Sequence, residues 1–297
     1  MLEACGIESS KKLKVAIALT SAILFAEIIG GIISNSLALL TDAAHVFMDV
    51  LALGLSLSAL TIACRPLDEK ATFGYHRAEI FAALINGLLL VIVVIFILRE
   101  AYDRLVSPPE IRTYEMLVVA SIGLVVNLFV TFTLRGHHDL NIRGAYLHVL
   151  GDTLSSFGVI VGGVLIILTG YYIVDPILSI IISCVIVYSS LRLLKESVDI
   201  LMERTPKHID IEKLKEGILK MEGVNGIHDL HVWSICSNVH ALNAHLIVDT
   251  ISVKDTEKIT SEINKRLLQD YRISHTTLQF ECNECSITGV GDSKRSE

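Results

Sequence analysis

Three observations predict an α-helical membrane protein of six transmembrane helices with a C-terminal α+β domain in the cytosol. The chain of 297 residues is 52% hydrophobic and only 19% charged, too apolar for an ordinary soluble protein. Its apolar residues fall in runs close to the ~20 residues that a bilayer demands. These runs stop near Arg204, where amphipathic and alternating patterns begin.

Residues 1–14 are a short cytosolic N-terminal segment ending in Lys11, Lys12 and Lys14, cations that mark the inner side. The first run, about Val15–Ile33, lacks a small-residue cleavage site and reads as a retained span. Glu27 interrupts it, and no partner for that acid is evident. After the turn Ser34-Asn35-Ser36, the second span covers about Leu37–Ala63. Arg65, Lys70 and Arg77 make the next loop cytosolic. Spans three and four cover about Ile80–Leu98 and Tyr114–Leu134, on either side of Pro108-Pro109. Arg135 and Arg143 return the chain to the inner side, and the fifth span covers about Ala145–Leu168. Gly158 and Gly162 form a small-residue pair on it, suited to close helix packing. The sixth span, about Ile177–Leu194, is entered through Asp175-Pro176. An even count places both termini in the cytoplasm. The transmembrane domain is thus 15–204.

Residues 205–287 form the cytosolic domain. Ile211, Leu214 and Ile218 recur at helical spacing within Ile209–Met221. Ile227–Cys236 and Val239–Asp249 read as a strand pair, Lys254–Leu268 as a second helix and Thr276–Glu281 as a third strand. The α-β-β-α-β order is that of a small open-faced sandwich. Residues 288–297 are a polar tail expected to be disordered. The net charge of −7 and the lack of a basic patch exclude nucleic acid as a partner. Cys5, Cys64, Cys184 and Cys236 are scattered, so no disulfide framework is implied.

The chemistry lies in a pattern used twice. His45 precedes Asp49 by four residues in the second span, and His148 precedes Asp152 by four in the fifth. On a helix, such residues share one face. An aspartate at mid-membrane costs roughly 2.5–3.5 kcal/mol and needs a partner. One His/Asp pair is as well explained by a packing hydrogen bond. Two copies on separate spans point to a shared cation. Two imidazoles and two carboxylates suit tetrahedral Zn²⁺ better than Mg²⁺ or Ca²⁺.

With four protein ligands, no position remains for a catalytic water, and no HExxH motif is present. The chain therefore reads as a non-enzyme that holds an ion in transit. Zn²⁺ needs neutral His and ionised Asp, so protons compete with it. A site opening alternately to either side would exchange Zn²⁺ for H⁺. Asp42, one turn before His45, would either orient that imidazole or cap the helix.

The cytosolic domain offers a second candidate site. His228, His231, His240, His245 and His275 crowd its strands, and Glu281, Cys282 and Cys285 follow. Cys282-Asn283-Glu284-Cys285 is half of a zinc motif. Either these residues share a regulatory Zn²⁺ with His228, His245 and Glu281, or they are surface histidines and reduced thiols. His137-His138 in the inner loop could attract metal to the entrance but are too few for a metal-buffering tract, and His76, next to Arg77, is undecided between the two readings.

These residues together resemble the cation diffusion facilitators. The resemblance rests on Ser36-Leu37-Ala38-Leu39-Leu40-Thr41-Asp42-Ala43-Ala44-His45-Val46-Phe47-Met48-Asp49 and on Leu147-His148-Val149-Leu150-Gly151-Asp152. It extends through Phe73-Gly74-Tyr75-His76-Arg77-Ala78-Glu79, Asp175-Pro176 and His228-Asp229-Leu230-His231-Val232-Trp233. It implies a homodimer whose cytosolic domains are ferredoxin-like, as in metallochaperones. It also implies export of Zn²⁺ in exchange for H⁺. The His-xxx-Asp form of the second-span pair is similar to the zinc-selective branch. The short, His-poor inner loop is similar to bacterial exporters of the cell (plasma or inner) membrane. Some relatives bind metal in the loop after the second span. Here Asp68 is kept but Ala71 and Tyr75 take the other places, so that site is not expected unless His76 substitutes. The alternatives are a membrane-anchored metal sensor and an exporter of a broader set that includes Cd²⁺ and Co²⁺.

Overall fold

The computed structural model describes residues 7–63, 65, 69–134, 140–237, 239–249 and 252–282; side chains at 7–18, 53, 56, 57, 60, 63, 133–134 and 140–149 fall outside the description. Six long helices come first: α1 (Ile7–Ser34), α2 (Leu37–Ala63), α3 (Arg77–Val106), α4 (Thr113–Leu134), α5 (Leu140–Thr169) and α6 (Val174–Leu201). The elements α7 (Ile211–Leu219), β1 (Gly226–Cys236), β2 (Val239–Ile247), α8 (Val253–Tyr271) and β3 (Ile273–Glu281) follow. The chain divides into two compact units, one of Met1–Ser58 with Ala82–Leu194 and one of Ala59–Phe81 with Lys195–Glu297.

The helical unit turns large apolar side chains outward while burying polar and charged groups among its apolar clusters. Thr41, Asp42, Asn127, Asp152, Ser156 and Asp175 are buried, whereas Phe25, Ile95, Phe96, Leu168 and Val185 face outward. That arrangement suits a hydrocarbon solvent, where apolar surface is free to face out and polar groups must pair within. Among the described residues, four helices are long and apolar enough to cross a membrane: Arg77–Val106, Thr113–Phe132, Leu150–Thr169 and Val174–Leu201. The chain is therefore a multi-pass membrane protein. The described part of α1, Leu19–Ser34, is apolar but shorter. Six long helices stand where six spans are expected, and among the described residues four of them have the full apolar length.

Small residues set the helix approaches. A Cβ added at Gly163 would lie 2.6 Å from Leu117 of α4, and at Gly162 it would overlap Leu178 of α6. Gly158 opens onto nothing within 4 Å. The tight surface of α5 is therefore Gly162-Gly163 and not the expected Gly158/Gly162 pair. Adjacent glycines face different neighbours because they stand about 100° apart on the helix.

In the second unit, β1 pairs antiparallel with β2, and β2 pairs parallel with β3. Leu214 and Ile218 of α7 share one core with Ile263 and Leu267 of α8 and with Ile227, Val232, Leu242 and Leu246 of the sheet. The α-β-β-α-β order is as expected, with shifted ends. Arg272 stands in the left-handed region at φ 57° and stops α8, so β3 begins at Ile273 and not Thr276. Ser252 and Asp255 close a capping box at the start of α8, and Asp210 caps α7. The 69–81 segment belongs to this unit. Glu79 accepts from Ser237 Oγ at 3.0 Å, Arg77 donates to Glu203 at 2.7 Å, and the Phe73 ring meets His275 edge-on at 6.3 Å.

Candidate functional site

The helical period brings the expected intramembrane residues together. His45 and Asp49 lie one turn apart on α2, and Asp152 reaches the same point from α5. His45 Nε2 is 3.6 Å from Asp49 Oδ2 and 3.9 Å from Asp152 Oδ1. The three residues offer ligand atoms within 4.8 Å of one another. Around a zinc ion with bonds near 2.0–2.1 Å, tetrahedral ligands stand about 3.3 Å apart. Side-chain movements of up to roughly 1.5 Å, the difference between 4.8 Å and that spacing, would therefore close this set on one ion. Asp152 is buried and His45 and Asp49 are half-buried. The fourth residue, His148, belongs to α5 one turn before Asp152, and its side chain lies outside the described residues.

Asp42 does not act as the cap of α2. Asp175 takes that task from α6. Its Oδ1 accepts from Ser36 Oγ at 2.5 Å and from the Ala38 N–H at 3.3 Å, and its Oδ2 accepts from the Leu37 N–H at 2.7 Å. Asp42 instead accepts from two hydroxyls of α5, Ser155 Oγ at 2.5 Å and Ser156 Oγ at 3.3 Å. It ties α2 to α5 one turn from His45 and so braces the two helices that carry the cluster. Ser155, Ser156 and Asp175 were not singled out as site residues from the sequence. A serine pair three residues after Asp152 was the available signal.

The second cluster stands on the sheet. His228 and His245 are register partners on β1 and β2, and Glu281 ends β3. His228 Nε2 is 3.1 Å from Glu281 Oε2, and His245 Nδ1 is 2.9 Å from Glu281 Oε1. The two imidazoles meet edge to face at 5.0 Å. These three residues form the other group suited to a metal among those described. Cys282 is exposed beside it, and Cys285 lies outside the described residues.

Asp229 was missed. It sits at φ 47°, where the β1–β2 register shifts between His228 and His231. The bulge turns its carboxylate to His231 Nε2 at 2.9 Å and His245 Nε2 at 3.6 Å. An aspartate inside a strand of otherwise β-favouring residues was the readable sign.

The remaining histidines part ways. His240 is buried, its Nδ1 lies 3.1 Å from Ser234 Oγ, and its ring is 5.0 Å from that of His208. Burial, followed by the neighbouring His208 and Arg272, pushes its pKa below the usual histidine value. His275 lies against Phe73. His76 joins no metal-suited group among the described residues. His137, His138 and Asp68 lie outside them.

A family model described as the cation efflux transmembrane domain matches residues 13–202, and one for the cytoplasmic domain of cation efflux proteins matches residues 206–282. The metal cation efflux system protein CzcD of Cupriavidus metallidurans is 42% identical over 279 residues, 93% of this chain and 88% of that protein. The cadmium, cobalt and zinc/H(+)-K(+) antiporter of Bacillus subtilis is 41% identical over 278 residues, 92% of this chain and 89% of that protein. The zinc transporter ZitB of Yersinia pestis is 39% identical over 287 residues, 95% of this chain and 91% of that protein.

Proposed function

The chain belongs to the cation diffusion facilitator family of metal cation efflux transporters, and we propose that it exports cytosolic Zn²⁺ in exchange for H⁺. It is a transporter and not an enzyme, as its relatives are. The observation that carries the zinc reading is the convergence of His45, Asp49 and Asp152 from two helices. Nitrogen and oxygen donors in this mixture suit a borderline metal. His148, one turn before Asp152, supplies the fourth ligand in this reading. All four spend part of the cycle protonated or metal-bound, and that competition releases the ion.

In this reading six spans cross the bacterial cell membrane with both termini in the cytoplasm. Two copies form a homodimer. The His228–His245–Glu281 cluster, with Cys282 and Cys285 nearby, takes a regulatory Zn²⁺ in the cytosolic domain. Donor chemistry fits: two imidazole nitrogens and one carboxylate already stand within 4.8 Å of each other.

A broader exporter is the second reading. It is favoured by relatives whose names include cadmium and cobalt. Membership of an efflux family selects transport over an anchored sensor. The deciding experiment is flux into sealed vesicles holding the full-length protein, with Zn²⁺, Cd²⁺, Co²⁺ and Mn²⁺ tried in turn under an imposed pH gradient. Zn²⁺ movement that follows the gradient supports the exchange. Movement indifferent to it removes the proton from the scheme.

A further inference from the structure

One buried acid has no task in this scheme. Glu27 of α1 is 1% exposed, and its Oε2 meets no hydrogen-bond partner. Its Oε1 sits in the notch left by Gly123 of α4. A Cβ added at Gly123 would lie 3.0 Å from that oxygen and 3.9 Å from Ser156 Oγ. The charges that act on Glu27 are those of Asp42 of α2, which Ser156 holds at 3.3 Å, and Asp152 of α5, one turn before Ser156. The facing part of α4 presents Gly123 and Asn127, neither of which titrates. No Lys or Arg pairs with Glu27 or Asp42 among the described residues. Ser156 bridges the group, because it donates to Asp42 and stands beside the Glu27 notch.

Three carboxyl groups crowded into a medium of low dielectric cannot all be ionised unless a cation joins them. The cation that visits is the cargo. We propose that Glu27 carries a proton of the exchange and is separate from the residues that hold the metal. With the transport site empty, Glu27 keeps the proton on its carboxyl group. When Zn²⁺ arrives beside Asp152, its positive charge allows the Glu27 O–H bond to break and the proton passes to water. When Zn²⁺ leaves, Glu27 takes a proton from water on the side then open. No electron changes hands, and the charge lost with the metal is partly replaced at Glu27. A methyl group at Gly123 would press on that carboxyl group.

This proposal rests on the Zn²⁺/H⁺ reading. The test uses the full-length protein in detergent, in weakly buffered solution with a pH-sensitive dye. Zn²⁺ is added and the protons released per bound ion are counted. The same proteins in vesicles give flux against pH. Glu27→Gln is expected to bind the same number of zinc ions, to release about one proton fewer per ion, and to shift its flux response to pH, with the part owed to the metal ligands remaining. Glu27→Asp is expected to restore both. Equal proton counts and equal pH profiles in parental and Glu27→Gln proteins overturn the proposal. So does a loss of flux by one common factor at every pH in both variants, which is the mark of a structural role. If Glu27→Gln does not fold, Gly123→Ala replaces it. Its methyl crowds Oε1 and is expected to move the pH midpoint of flux, and an unmoved midpoint overturns the proposal. A parental protein that binds Zn²⁺ and releases no protons overturns the exchange reading itself, so the two failures are told apart by which protein shows them.

Discussion

His45 and Asp152 stand more than a hundred positions apart in sequence, yet their reactive atoms come within 3.9 Å. Neither could hold a divalent ion alone in apolar surroundings. Asp152→Asn keeps the shape and removes the anion, so it is expected to lower zinc flux in vesicles by more than about 100-fold. Flux near the parental rate would remove the residue from the site. Ser155→Ala deletes one hydroxyl donor to Asp42 and loosens the brace between α2 and α5. The expected loss in zinc affinity is about tenfold, read by calorimetry on the purified protein. At the sheet, His240 sets a pH dependence. Its folded pKa lies below its unfolded value, so the unfolded chain binds more protons in the range between them. Stability is full above the ordinary histidine value of about 6.5 and falls as pH drops through the folded value. His240→Gln is expected to flatten that acid-side loss, as measured by thermal unfolding of the cytosolic unit's signal against pH.

Helix ends and strand ends decide how these residues meet. Asp175 is wholly buried and satisfies two N–H groups of the first turn of α2, together with Ser36. It thereby fixes the start, and so the rotation, of the helix that carries His45 and Asp49. Asp175→Ala would leave those donors buried without a partner, a cost of about 1–3 kcal/mol. A lower unfolding midpoint in detergent checks this, and an unchanged midpoint refutes it. Much of this layer was readable beforehand. The repeated i, i+4 spacing put His45 with Asp49 on one face, and β-branched residues marked β1, β2 and β3. What could not be read was contact between elements. Nothing in Asp42 itself says that its partners are Ser155 and Ser156, because helix rotation about its axis is set by the packing of Gly162, Gly163 and their neighbours. The bulge at Asp229 was likewise hidden, since register is a property of two strands and not of one.

Across the whole chain, the second unit holds both the His228–His245–Glu281 cluster and the 69–81 segment that leads into α3. Ser237, one residue beyond β1, holds Glu79, and His275 of β3 meets Phe73. A metal bridging β1, β2 and β3 would therefore stiffen the strands that grip this segment. A ligand biases a conformational equilibrium only by as much as it prefers one state. In a homodimer, Zn²⁺ held by this cluster would do so if it draws the two cytosolic domains together. The expected outcome follows in two measurements on the full-length protein. Glu281→Gln should bind about one zinc fewer per protomer and should lose the rise of transport rate with cytosolic zinc. Its basal flux, at Zn²⁺ concentrations too low to fill the cytosolic cluster, should match that of the parental chain, because the intramembrane residues are untouched. Chemical cross-linking of detergent-solubilised protein should show zinc-dependent pairing of cytosolic domains in the parental chain and not in the variant. A Glu281→Gln protein with parental zinc dependence and pairing would leave the cluster as a set of structural ion pairs between strands.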